Sequence, residues 1–253
     1  MLCLQQHKFI KAHAIPEAFF REMRVDGEKS LLVSGQPGQF PKKAPIGVYD
    51  EEILCEDCEP SFSKIDDYGI EVLLKKFDER FHPLQRDGKT AGFESASVDP
   101  SRLLQFLVTI LWRASVSSRP FYSKVDLGPH EPFARAAVNT HATELSPVFD
   151  AVLSRWRDEG DHSPTTAILN PGREKWFGVN AYRLYLGETV AYVKVDAQPF
   201  PPELKAVSLR TAPPVYVVSR ALSKSSDFRA MKHTVQRSHA NKLSFGNARR
   251  SGQ

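Results

Sequence analysis

The chain has 253 residues, 41% of them hydrophobic and 25% charged, with a formal net charge of +4. That is enough apolar content for one large domain or two small ones with a genuine core, and an ordinary charge for a soluble protein. No apolar run approaches the ~18–20 residues that span a bilayer, so no membrane partner is expected. The longest, Leu103 to Trp112, is interrupted by Gln105 and Thr109. The opening Met1-Leu2-Cys3-Leu4-Gln5-Gln6-His7-Lys8 lacks the basic, apolar and small-residue regions of a secretory signal, which makes a cytoplasmic location the expectation. Three cysteines are too few, and odd in number, for a disulfide framework.

The pattern along the chain predicts an α+β fold in three parts. Residues 1–78 form a small Cys/His module. They begin with Cys3, a short apolar stretch at Phe9-Ile10 and a short helix from Glu17 to about Arg24. A Gly/Pro-rich loop over 25–49 follows, and then a helix from Cys58 to about Phe77, with Phe62, Ile65, Val72 and Leu73 at helical spacing. Residues 79–219 form a body. Residues 81–98 read as loop with short strands around Phe93. Asp99 as N-cap and Pro100 at the first position start the most apolar helix, which runs to Ser115. Further helices are expected from about Pro129 to Asn139 and, with Ser146 as N-cap and Pro147 next, to about Arg157.

The period then changes to two. Thr165 to Leu169 reads as a strand, Tyr182–Leu186 and Val190–Val195 as a hairpin around Gly187-Glu188, and Val215–Val218 as a further strand. Together they predict a small antiparallel sheet over about 165–219. Residues 220–253 carry eight Lys and Arg against the single acid Asp227. They read as a flexible basic tail able to neutralise phosphates of DNA or another nucleic acid, or as a merely solubilising terminus.

Cys55-Glu56-Asp57-Cys58 carries the clearest chemistry. Two thiolates two residues apart can hold one tetrahedral metal from a tight turn, and zinc is the expected ion. The alternatives are a dithiol redox site and two unrelated surface cysteines. A tetrahedral site needs two more ligands. Cys3 is the expected third, and the fourth is either His7 or a residue upstream of Met1. Trp112-Arg113, with Arg119 and Phe121-Tyr122-Ser123-Lys124, reads either as a nucleic-acid groove or, preferably, as a core tryptophan with a snorkelling arginine. Arg173, Lys175 and Trp176 fall in a hairpin-like loop that could meet a phosphate backbone. The body shows no Gly-rich phosphate loop, nucleophile elbow or His-Glu-x-x-His helix.

The order Cys3, His13-Ala14-Ile15-Pro16, Leu54-Cys55-Glu56-Asp57-Cys58-Glu59 resembles the HNH endonuclease superfamily. Gly47 through Asp66-Asp67-Tyr68, with Leu111–Ser115, is similar to a family of uncharacterised bacterial HNH-like proteins. The resemblance covers about residues 1–75. It implies a treble-clef (ββα-metal) fold with a structural Zn2+, and a metal-dependent DNA endonuclease. His13 would be its general base, and Mg2+ or Mn2+ its catalytic ion. The acid that usually precedes the histidine is Ala12 here, and the helical ligand, usually His or Asn, is Glu59. Glu59 is then the second expected catalytic residue, and Asp66 offers a carboxylate on the same helix face. The alternative is an inactive zinc-knuckle binding protein that keeps the scaffold alone.

Overall fold

A computed structural model of the chain describes residues 2–3, 8–22, 31–32, 42–43, 46–157, 169–229, 232–233 and 236. The N-terminal part contains β1 (Ala12–His13), α1 (Glu17–Glu22), β2 (Leu31–Leu32), β3 (Lys42–Lys43), β4 (Tyr49–Asp50) and α2 (Pro60–Ile70). β1 pairs antiparallel with β4, and β2 with β3. α2 continues as a π-helical turn over Glu71–Lys75 before α3 (Phe77–Arg80).

The body follows with β5 (His82–Arg86), β6 (Lys89–Ser95), α4 (Pro100–Ser115), α5 (Glu131–Ala136), β7 (Phe149–Arg157), β8 (Gly172–Trp176), β9 (Val179–Leu186), β10 (Thr189–Val195), α6 (Pro202–Lys205) and β11 (Val215–Ala221). The order in space is β5-β6-β11-β7-β10-β9-β8. Every pairing is antiparallel except β11 with β7. Helices and sheet make the chain α+β. Among the described residues no helix is long and apolar enough to cross a membrane.

α4 is the pillar on which both parts rest. Asp99 caps it, its carboxylate accepting from the backbone N–H groups of Ser101 (2.9 Å) and Arg102 (3.1 Å), and Pro100 opens the first turn. All residues from Leu103 to Ala114 are buried, so the helix is covered on every side. It packs against β7 and β10 of the sheet and against α2 of the N-terminal part. Gly69 makes the second contact close: a Cβ there would lie 2.4 Å from the Phe106 ring. The polar residues of α4 are satisfied internally. Gln105 donates to the carbonyls of Ala137 and Thr140, and Thr109 donates to that of Phe106.

Four expectations are corrected. The helix expected from Ser146 to Arg157 is strand β7. It is central in the sheet and nearly all buried, and because polar Asp150 and Ser154 are buried along with Ala151, Val152 and Leu153, no clean period-two alternation marks it as a strand. Over 81–98 the strand expected around Phe93 is β6, but the loop expected before it is strand β5, and the two form a hairpin turned by Asp87-Gly88. The body is therefore not helices over 100–157 followed by strands, because its sheet draws strands from residues 82 to 221. The tail expected from residue 220 does not begin there. Arg220 lies in β11, and Asp227 is fully buried, accepting from Arg183, Arg220 and Tyr185. Residues 165–168 of the expected strand, and most of the tail beyond 229, lie outside the described residues.

Candidate metal centre

Four residues separate β4 from the cysteine clip. Phe9 bridges Cys55 antiparallel, Ile10 N–H donates to the Leu54 carbonyl (3.1 Å), and Glu56 N–H donates to that of Lys8 (3.1 Å). The chain then turns. The N–H groups of Cys58 and Glu59 both donate to the Cys55 carbonyl at 3.1 Å, and Pro60 starts α2. The clip thus sits where a strand becomes a helix, with backbone N–H groups gathered around it.

Cys3, Cys55 and Cys58 converge here, their sulfurs all within 4.8 Å of one another and Cys3 Sγ 3.7 Å from Cys55 Sγ. Cys55 and Cys58 are buried and Cys3 is half-buried. Burial pushes the Cys58 thiol up to about 12, helped by hydrogen bonds with the Cys55 and Cys3 side chains, while a backbone hydrogen bond from Cys3 acts the other way. Three soft sulfur donors converging in this way could hold a metal ion, and the set is compatible with a structural zinc. It is the one group of three potential ligands among the described residues. His7, the expected fourth ligand, lies outside them.

His13 stands on β1, half-buried. Its Nε2 lies 2.8 Å from the Ile46 carbonyl, so Nε2 carries the proton and Nδ1 is the basic nitrogen. Burial lowers its pKa below the ordinary 6.5, outweighing the hydrogen bond to Ile46 and the charge of Glu17. The ring meets Tyr49, its ladder partner, edge-on at 6.1 Å.

Two carboxylates of this part, the expected Asp66 and Asp50, are engaged elsewhere. Asp66 makes a bidentate pair with Arg113 at 2.6 and 2.7 Å, and Arg113 Nη1 also donates to the His13 carbonyl at 3.1 Å. Asp50 lies directly across the ladder from Ala12, the position where the HNH pattern carries an acid. It is 1% exposed and accepts from Glu52 N–H, Ser117 Oγ, Ser118 N–H and Ser118 Oγ. Burial alone would raise its pKa, but these hydrogen bonds and Arg119 hold it below the ordinary range. Glu59 is exposed, caps nothing with its side chain, and joins no cluster of three ligands. The structure therefore unites the three cysteines and leaves Glu59 apart from any such group.

Trp112 and Arg113 do not line a groove. Trp112 is fully buried, stacked on Phe62 at 5.9 Å, with Nε1 donating to Glu131. Arg113 is a buried ion-pair partner rather than a snorkelling one. Its pairing with Asp66, 47 residues away, has no local signal in the sequence. The same holds for Asp227 with Arg183 and Arg220. No family model, curated protein or solved structure matches the chain.

Proposed function

We propose that the chain is an HNH-like, zinc-stapled protein that acts on nucleic acid. Cys3, Cys55 and Cys58 would be thiolate ligands of a treble-clef-like strand–strand–helix unit, with His7 as the fourth ligand. The observation that carries this reading is the convergence of the three sulfurs just ahead of α2, with His13 on β1. Zinc binding would replace the protons of the three thiols and tie residue 3 to residues 55 and 58.

In this reading His13 is the candidate general base. Its Nδ1 would take a proton from the water attacking a phosphodiester, and the Ile46 carbonyl would fix the ring and its tautomer. A catalytic Mg2+ or Mn2+ does not fit the described residues. Such ions need converging oxygen ligands, whereas Asp66 and Asp50 are engaged and Glu59 joins no cluster. These engaged carboxylates favour a second reading, in which the scaffold binds nucleic acid without cutting it.

Elemental analysis of the purified protein is expected to find about one zinc per chain, and a metal-free protein would sink the staple. Plasmid incubated with protein and Mg2+ or Mn2+, beside His13→Ala, separates the two readings. Nicking lost in the variant supports hydrolysis by His13, and an intact plasmid that is nonetheless bound supports the second.

A further inference from the structure

Hairpin β8–β9 closes on the two-residue turn Phe177-Gly178, in which both residues have positive φ, +48° and +86°. This is type I′ geometry, which Asn-Gly and Asp-Gly adopt with least strain. Hairpin β5–β6 of the same sheet obeys that preference, with Asp87 at +52° and Gly88 at +70°. Phenylalanine is sterically poor at the first turn position, because its Cβ crowds the following carbonyl. Burial does not compensate. Phe177 is 65% exposed, the most exposed large apolar side chain among the described residues. It stands edge-on to Trp176 at 5.1 Å, and Trp176 is itself stacked on Tyr192 at 4.2 Å. The ring is thus held outward on a packed aromatic base.

The exposed face of β8 beside it is cationic, with Asp196 near Lys175 as a neighbouring acid. β8 is the last strand of the sheet, and its exposed residues are Arg173 and Lys175, alternating with half-buried Glu174 and Trp176. Lys124 reaches the far end of the strand from the turn, its Cδ 3.9 Å from where a Cβ on Gly172 would lie, so the cations run the length of β8. Lys124 and Arg173, with Glu174, Arg183 and Tyr185, line a cavity of ≈ 240 Å3. Lys124, Arg173 and Lys175 make no salt bridge among the described residues, and Glu174 is committed to Arg183 at 2.9 Å. One ring flanked by cations is not the broad apolar patch that a protein partner would bury. It matches a nucleotide, which offers a planar face beside a charged phosphate.

We propose that the β8–β9 hairpin binds single-stranded nucleic acid, with Lys124, Arg173 and Lys175 on its phosphates and a base stacked on Phe177. Single strands are bound by this combination of stacking aromatics and backbone-tracking cations. The proposal deepens the nucleic-acid reading and rests on it, but needs neither the zinc nor cleavage.

The test is fluorescence anisotropy of the full chain with a labelled oligothymidylate of about twenty nucleotides, over a range of salt. Phe177→Ala is expected to weaken binding about tenfold and Phe177→Tyr to restore it. Arg173→Ala with Lys175→Ala is expected to reduce the slope of log K against log salt by about 1.4. Circular dichroism and zinc content should match the parent protein in every variant. Binding to the parent that is unchanged in all these variants overturns the hairpin proposal and leaves the nucleic-acid reading standing. Failure of the parent to bind this oligonucleotide also overturns the hairpin proposal. If plasmid is also neither bound nor nicked, the nucleic-acid reading falls with it.

Discussion

Arg113 lies inside the molecule, with 4% of its side chain exposed, and its guanidinium sits 4.7 Å over the Phe62 ring. A permanently charged group in that position must be paired, and the planar fork takes both oxygens of Asp66. Because the same guanidinium holds the His13 carbonyl, one ion pair joins α4, α2 and β1. Asp66→Ala leaves the cation buried without its partner, and is expected to lower unfolding free energy by about 3–5 kcal/mol. Urea denaturation monitored by circular dichroism should show the midpoint fall with an unchanged slope. Adding Arg113→Met removes the stranded charge and should recover most of the loss. A loss below about 1 kcal/mol in the single variant would mean the pair behaves as a surface contact.

At the scale of elements, local signals succeeded where chain neighbours decide the outcome. Asp99-Pro100 announced α4 because cap and first turn are built from adjacent residues. Ser146-Pro147 carries the same signal but precedes a strand. The ladders to β10 and β11 satisfy the backbone of residues 149–157 and override the local start. The cysteine clip was legible from its spacing, and the structure brings the expected Cys3 to it. The turn at Phe177 was not legible, since phenylalanine is the wrong residue for its backbone. That mismatch has a measurable consequence. Phe177→Asn should raise stability by about 1 kcal/mol, because asparagine tolerates positive φ and the exposed ring contributes little packing. The same variant should lose affinity for single-stranded oligonucleotide. Thermal melts that show destabilisation would mean the ring packs more than its exposure implies.

For the whole molecule, titration links the two parts, because His13, Asp50 and Asp227 respond to acid in the same direction, while Asp150 and Glu174, raised by burial, oppose them. His13 is held below its ordinary 6.5 by burial, so the unfolded chain takes up a proton that the fold resists. Its contribution is complete above about 6.5 and is lost as pH falls toward the lower folded value. Burial alone would raise Asp50 and Asp227. Hydrogen bonds from Ser117 and its neighbours hold Asp50 below the ordinary 3.8, and Arg183, Tyr185 and Arg220 do the same for Asp227. Their contribution is present above about 3.8 and lost as pH falls through the depressed folded values. Stability should therefore decline in two stages on acidification, gently from about pH 6.5 and steeply below about pH 4. His13→Gln should flatten the first stage and leave the second. Zinc release would also follow acid, since the thiolates reprotonate, and a chelator distinguishes the two causes. With chelator present, the upper stage should persist in the parent protein and remain absent in His13→Gln. If chelation abolishes the upper stage in the parent, the metal rather than His13 sets that part of the profile.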